Sequence, residues 1–97
     1  MKKYNKENPL RPVAKFILEL SKVKSDIIKQ SVEDILQNNI KSSNEIERVL
    51  DMICENVVYG FNKPEFKKLI IYYKKIDKKA AKDYEGHYEK SLRGEIL

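Results

Sequence analysis

The residues with the clearest chemical potential are the lysines of residues 63–82, which contain eight lysines against two acidic residues. Ammonium groups gathered on one surface attract phosphates or the carboxylates of an acidic protein. Tyrosines lie in the same part of the chain, and exposed tyrosines can stack on nucleic-acid bases. The segment therefore raises two binding hypotheses. The candidate contact residues are Lys67, Lys68, Lys74, Lys75, Lys78, Lys79 and Lys82.

The spacing of the tyrosines favours packing over base stacking. Apolar residues around them recur every three or four positions, which places Tyr73, Tyr84 and Tyr88 on the inward sides of helices. Tyr59 and Tyr72 fall nearer the boundary, where a ring can be buried while its hydroxyl meets water. The lysines fall on the outer faces, as an ordinary solvated helix surface also requires.

Reading of a DNA sequence is disfavoured, because residues 63–82 contain no arginine or glutamine to recognise base edges. Lysine alone mostly contacts phosphates. Sequence-independent binding of nucleic acid through the lysines therefore stays as the alternative to binding a protein with an acidic surface.

Catalytic and metal chemistry have little support in the sequence. His87 is the single histidine and Cys54 the single cysteine, whereas a transition-metal site needs several converging ligands. Cys54 lies in an apolar stripe and is interpreted as a small core residue rather than a nucleophile. The three glycines are isolated, so no glycine-rich phosphate loop exists. We therefore expect no enzyme activity, no metal and no cofactor.

The composition indicates a small helical protein. The chain has 97 residues, which suits one domain, and 36% of them are charged against about 25% in an average protein. Such a charged share suits narrow amphipathic elements with solvated outer faces. With only three glycines and three prolines, breaks are few, which favours a few long helices over a many-stranded sheet.

The location expected from the sequence is the cytoplasm. The longest apolar run, at residues 69–73, is far shorter than the roughly 20 residues of a membrane span. No apolar stretch of signal-peptide length follows the basic start of the chain. A lone cysteine cannot form an internal disulfide, which suits a reducing compartment.

The first helix is predicted to begin at Pro12 and to run for about 26 residues, or roughly 39 Å. The segment Ser21–Asp26 could divide it, since Ser and Asp can cap a new helix. We favour one long or kinked helix. Its apolar residues at helical spacing are Val13, Phe16, Ile17, Leu20, Val23, Ile27, Ile28, Val32, Ile35 and Leu36.

The second helix follows a polar turn at Asn38–Glu45, where Ser42 with Glu45, or Asn44 with Glu47, has the spacing of a capping box. Gly60 is expected to end it, because glycine adopts positive φ readily. Its apolar stripe is wide, and if the last members were exposed a homodimer would be implied. Those members are Val57, Val58 and Phe61.

Two further helices are predicted. Asn62 is expected to cap the third, with Pro64 in its first turn, and Asp77 to cap the fourth, which Gly94 ends. The inward residues expected on the third helix are Phe66, Leu69, Ile70, Tyr73 and Ile76. Those expected on the fourth are Ala80, Ala81, Tyr84, Tyr88 and Leu92.

The sequence therefore predicts an all-α fold, a single-domain antiparallel bundle of four helices, or five if the first one breaks. The bundle domain is expected over residues 12–97. Residues 1–11 are expected to form a flexible basic arm.

In length, basic character and helical layout the chain resembles two groups: the small immunity proteins that protect bacteria from their own class II bacteriocins, and small phage-encoded helical proteins that block a host machine. The likeness is one of layout and carries over no individual residue. The first resemblance implies binding to a membrane-embedded receptor complex from the cytoplasmic side through the C-terminal portion.

The function expected from the sequence is that of a small non-enzymatic interaction protein, with an inhibitor, adaptor or immunity-type role. It would dock on a partner protein through the seven lysines. The expectation rests on the uneven distribution of charge and on the lack of any catalytic constellation in the sequence.

Overall fold

The computed structural model of the protein describes residues 11–94, and the side chains from residue 14 onward. It contains four helices: α1 (Arg11–Gln37), α2 (Ser43–Val57), α3 (Lys63–Lys74) and α4 (Lys78–Leu92). No strand occurs within the described residues, so the predicted all-α class is confirmed. α1 passes through Ser21–Asp26 without a break. The predicted arm lies outside the described residues except for Arg11, which begins α1.

The helix boundaries follow from local chemistry. The Ser42 hydroxyl oxygen accepts a hydrogen bond from the Glu45 N–H at 3.3 Å, so α2 begins at the first of the two predicted capping boxes. Asp77 caps α4 in the same way, accepting from the Ala80 N–H at 3.0 Å. Gly60 adopts a φ of 93° just beyond α2, a conformation that glycine adopts without strain.

Contacts between side chains establish an antiparallel arrangement. Lys24 of α1 reaches Glu55 near the end of α2, and Tyr73 near the end of α3 reaches Glu47 near the start of α2. α2 and α3 contact each other and both contact α1 and α4, whereas α1 and α4 do not pack together in the described part of the chain. The core thus centres on α2 and α3. Its buried members include Ile28, Val32, Ile46, Val49, Leu50, Ile53, Leu69, Tyr73 and Ala81.

A buried amide network joins α1 to the turn between α2 and α3. The Asn56 side-chain NH₂ donates to the Ser21 carbonyl at 2.9 Å and to the Asn62 side-chain oxygen at 3.0 Å. Asn62 in turn donates to the Ser25 carbonyl and to Glu65. Because the two serines are small and lie one turn apart on α1, the turn can approach the α1 backbone closely.

The expected capping role of Asn62 is wrong. The residue does occupy the N-cap position of α3, but its φ of 70° is left-handed and its side chain makes no capping hydrogen bond. The amide is instead engaged in the buried network, where leaving it unpaired would be costly. Pro64 lies in the first turn of α3 as predicted.

The N-terminal part of α1 extends beyond the other helices. Every residue from 14 to 20 is exposed, and the first contact between α1 and α2 fixed by a hydrogen bond is that of Ser21 with Asn56. The apolar pattern correctly predicts the helix, but much of it does not enter the core. The exposed large apolar residues of α1 are Phe16, Ile17, Leu18, Leu20, Val23 and Ile27.

The C-terminal end of α2 does not provide the exposed stripe that would have implied a homodimer. Val57 is buried, and Val58 and Phe61, which follow α2, are half-buried; α2 as a whole contacts α1, α3 and α4. Leu92, which was expected to point inward, is instead exposed near the end of α4. None of the helices in residues 11–94 combines the length and the apolar character needed to cross a membrane.

Candidate functional site

The outer side of α3 contains the most concentrated positive charge of the described residues. Phe66, Leu69, Ile70 and Tyr73 are buried and together fill the inner side of the helix. The positions between them must therefore face water, as the helical period requires. All seven of the predicted lysines are exposed, three of them within α3, one just after it and three in α4.

The apolar residue Ile71 lies at the centre of this outer side, with 59% of its surface exposed. Lys67 and Lys68 precede it by four and three positions, and Lys74 and Lys75 follow it by three and four. Residues three and four apart are neighbours on a helix surface, with Cβ atoms about 5–6 Å apart. Ile71 is therefore surrounded by four lysines. We call these five residues the basic face.

Sequence reasoning missed Ile71, although a signal was present. Within the run at residues 69–73, the helical period assigns Leu69, Ile70 and Tyr73 to the inner side. The remaining isoleucine has no inward position left and must lie on the outer side. The isoleucine is what distinguishes this outer side from a helix surface that carries lysines alone.

The other three predicted lysines lie on α4, which follows the basic face after a short connection. Lys78, Lys79 and Lys82 occupy its first two turns and are exposed. Lys79 lies 3.8 Å from Asp83, one turn further along the helix. The structure therefore groups the seven lysines as four around Ile71 and three on the next helix.

Ion pairing leaves most of these lysines available for a partner. Lys74 pairs with Glu85 at 2.8 Å and so links α3 to α4. Together with the contact between Lys79 and Asp83, this accounts for two of the seven. The others have no carboxylate within ion-pairing distance among residues 14–94; they are Lys67, Lys68, Lys75, Lys78 and Lys82.

The tyrosines behind the basic face are used for packing, as predicted. Tyr73 is fully buried and its hydroxyl donates to Glu47 at 2.5 Å. Tyr72 donates to the Ile40 carbonyl at 2.7 Å. Burial, followed by the hydrogen bond to Glu47, raises the pKa of Tyr73, so the hydroxyl remains a proton donor at neutral pH. These rings hold α3 in place and offer no stacking platform.

Two tyrosines of α4 complete this packing. The Tyr88 ring stacks on Phe66, with centroids 3.7 Å apart and planes 6° from parallel. Tyr84 is half-buried and donates to Asp51 at 2.8 Å. Burial and that hydrogen bond raise the pKa of Tyr84. α3 is therefore anchored both to α2 and to α4.

A cleft of about 370 Å³ runs between α1, α2 and α4, and is lined by Lys24, Glu55, Tyr59 and His87 among others. Cys54 lies at its base and is buried. That burial raises the pKa of Cys54 to about 11, so the thiol is protonated and a poor nucleophile at neutral pH. The two charged residues of the cleft pair with each other, Lys24 Nζ lying 2.7 Å from Glu55.

A second, more open depression of about 260 Å³ includes Asp51, Asp83, Tyr84 and His87. One Asp51 oxygen already accepts the Tyr84 hydroxyl, and the His87 ring lies edge-on to Tyr84. No group of three or more metal-binding side chains is present in the described part of the chain. Neither depression assembles a nucleophile with a base within hydrogen-bonding distance, which is the arrangement that covalent catalysis requires.

Comparison with known proteins finds no family model, no curated protein and no solved structure that matches the chain. Function must therefore be argued from the surface itself.

Proposed function

We propose that this chain is a non-enzymatic helical bundle that docks on another protein through the basic face. The observation that carries the proposal is the exposure of Ile71 at the centre of four lysines. The partner is expected to present carboxylates around a small apolar depression that accepts the isoleucine.

An apolar centre with a charged rim favours a protein partner over a nucleic acid. Protein interfaces concentrate their binding energy in a few central residues that become fully desolvated, surrounded by a polar rim that excludes water. A phosphate backbone is attracted by the lysines alone, and an isoleucine held against it gains nothing. The packed rings of Tyr72 and Tyr73 remove the stacking that single-stranded nucleic acid would use.

The anchoring of α3 also supports docking. Its inner side is anchored by the Tyr73 hydroxyl on Glu47 and by the stack of Phe66 on Tyr88. A surface that is already ordered loses little conformational freedom on binding, so more of the interaction energy appears as affinity. An inhibitor, an adaptor or an immunity-type protein could all use such a surface, and the identity of the partner would distinguish them.

The test uses immobilised protein to capture partners from the native cell. Variant Ile71→Asp reverses the character of the central contact, and Val23→Asp makes the same change at an equally exposed residue of α1. A partner of the basic face should be captured by the wild-type protein and by Val23→Asp but lost from Ile71→Asp. If every captured protein is retained equally by all three, the basic face has no partner.

The nucleic-acid alternative is tested by gel shift with random DNA and RNA at low salt. It requires retardation that Lys67→Glu weakens and that falls steeply with salt, because bound lysines release counterions. It also requires Ile71→Asp to weaken binding only through its added charge, with Ile71→Ala having no effect. That combination would replace the protein-docking proposal, whereas absence of retardation removes the alternative.

A further inference from the structure

A second surface is independent of the basic face and lies on α1. Four exposed apolar residues on it are separated by four, three and four positions. This spacing is that of a coiled-coil seam, in which apolar residues recur on average every 3.5 positions. We call these residues the α1 stripe, and between 52% and 58% of each is exposed; they are Phe16, Leu20, Val23 and Ile27.

The α1 stripe is not the edge of the core. The side of α1 that faces the bundle is made of Ser21, Ser25 and Ile28, all of them buried. At 100° per residue, the centre of the stripe lies about 140° around the helix from the centre of that side. α1 thus has two separate contact surfaces, one occupied by α2 and α3 and one open to solvent.

The stripe needs a cover for physical reasons. An isolated helix shorter than about 12–15 residues is marginal in water, and most helical stability in proteins comes from packing of an apolar face. Residues 14–20 have no such packing within the described structure, since all seven are exposed. Contact along the stripe would stabilise this part of α1.

We infer that the cover is a second copy of the same chain, with the two α1 helices packed side by side in parallel. The seam spacing is self-complementary, so a two-fold pair brings each stripe residue against its counterpart. With Ile17 included, the apolar area that two copies can remove from water is at most on the order of 1,000 Å², close to the lower limit for a specific interface.

The charges beside the stripe select the parallel orientation. In a parallel pair, the residue just before a seam position such as Leu20 lies opposite the residue five places later in the other chain. That rule puts Glu19 opposite Lys24 of the partner subunit, twice by symmetry. In an antiparallel pair Glu19 would instead face Asp26 of the partner subunit, which places like charges together. Lys24 can serve both Glu19 and its own Glu55, because an ammonium has three donors.

The same charges argue against a lipid surface as the cover. Helices that lie on membranes combine an apolar face with lysine and arginine on both sides, which attract anionic headgroups. Here Glu19 and Asp26 both border the stripe. These carboxylates would be repelled by such a surface, whereas in the parallel pair Glu19 gains an opposite charge.

The dimer is tested by sedimentation equilibrium over about 1–200 µM, a range suited to the weak association of interfaces at the small end of the specific class. The wild-type chain should change from monomer to dimer across that range. Val23→Asp should remain monomeric throughout, with unchanged helical content in the monomer because Val23 contacts solvent. The matched control is Ile71→Asp, which should dimerise like the wild type.

Three outcomes would overturn the inference. The wild type could remain monomeric at 200 µM, Val23→Asp could dimerise as well as the wild type, or Ile71→Asp could lose the dimer. A wild-type monomer that co-sediments with phosphatidylserine vesicles, in a manner that Val23→Asp abolishes, would assign the stripe to a lipid surface instead. None of these results bears on the basic face, so the inference and the proposed function fail separately.

Orientation is tested by disulfide formation in a Cys54→Ala background, which removes the one native thiol. In a parallel pair residue 20 faces its own counterpart, so Leu20→Cys alone should cross-link readily on mild oxidation. In an antiparallel pair residue 20 faces residue 23. Cross-linking that requires a mixture of Leu20→Cys and Val23→Cys chains would therefore contradict the parallel arrangement.

Discussion

The basic face and the α1 stripe both expose apolar side chains, but they differ in what surrounds them. Ile71 stands alone among four lysines, whereas Val23, with nearly the same exposure, belongs to a row of four apolar residues. Binding at the basic face should therefore depend on charge and on one central contact. Binding at the stripe should depend on apolar area, which salt affects little.

The difference originates in the lengths of the helices. α3 has 12 residues and packs against both α2 and α4, so only its outer side is open to a partner. α1 has 27 residues against the 15 of α2 that it packs on, and the excess extends past the turn at Gly60. The part of a helix that extends past its neighbours exposes side chains that no other helix covers. A helix that is packed along its whole length exposes only the side chains of its outer side.

The largest expected effect comes from reversing charge at the basic face. Lys67→Glu with Lys75→Glu should weaken binding of the docked protein by about 100-fold or more, because like charges brought together in an interface cost several kcal/mol. Isothermal titration with the captured partner measures this affinity. Sedimentation of the same double variant should show an unchanged dimer. A shift in the dimer instead would mean that the two surfaces are coupled.

A smaller effect is expected at the network that ties α1 to the bundle. Asn56→Ala removes two buried hydrogen bonds and leaves the Asn62 oxygen unpaired, which should lower the free energy of unfolding by about 2 kcal/mol. Urea unfolding followed by circular dichroism measures the loss. The matched control, Asn44→Ala, changes an exposed asparagine of the same helix and should stay within about 0.5 kcal/mol of the wild type. Equal midpoints for Asn56→Ala and the wild type would show that the network does not hold α1.

The smallest effect concerns the anchor beneath the basic face. Tyr73→Phe removes the hydrogen bond to Glu47 and should lower the free energy of unfolding by about 1 kcal/mol at pH 7. The folded-state pKa of Tyr73 is raised above its ordinary value of about 10, so the folded state favours the protonated hydroxyl. Its contribution is thus complete below pH 10 and is lost as pH rises through the folded-state pKa.

Urea unfolding of both proteins between pH 7 and pH 12 tests this dependence. The difference in stability between the wild type and Tyr73→Phe should shrink above about pH 10. Comparing the two proteins cancels the titration of lysines and of the other tyrosines. A difference that grows with pH would show that Glu47 does not accept a hydrogen bond from Tyr73.

The fold was largely predictable because its signals are local. The caps at Ser42 and Asp77 depend on residues three positions apart, and the inner sides of the helices follow from a short period. The exposure of the α1 stripe was not predictable in this way. A period identifies residues that share a side of a helix, but another helix must reach that side to bury it.

The same limit explains the other errors. Asn62 has the composition of a cap, yet its side chain bonds to Asn56 and to the Ser25 carbonyl, 37 positions earlier in the chain. The stripe at Val57, Val58 and Phe61 is wider than a small bundle needs, and it implies a homodimer only if it is exposed. None of the three is exposed, and α2 contacts all three other helices. The lysines were placed correctly on the surface, but their significance depends on Ile71. The outward position of Ile71 becomes evident only when all the inner positions of α3 have been assigned.

Burial of Cys54 has a practical consequence. The thiol reacts with alkylating reagents as the thiolate, and a pKa of about 11 leaves little thiolate near neutrality while α2 remains packed against α4. Transient separation of the two helices returns the sulfur to water and to its ordinary acidity. Because the chain has one cysteine, the rate at which that cysteine is labelled measures how often the native protein opens locally between α2 and α4. No introduced probe is needed.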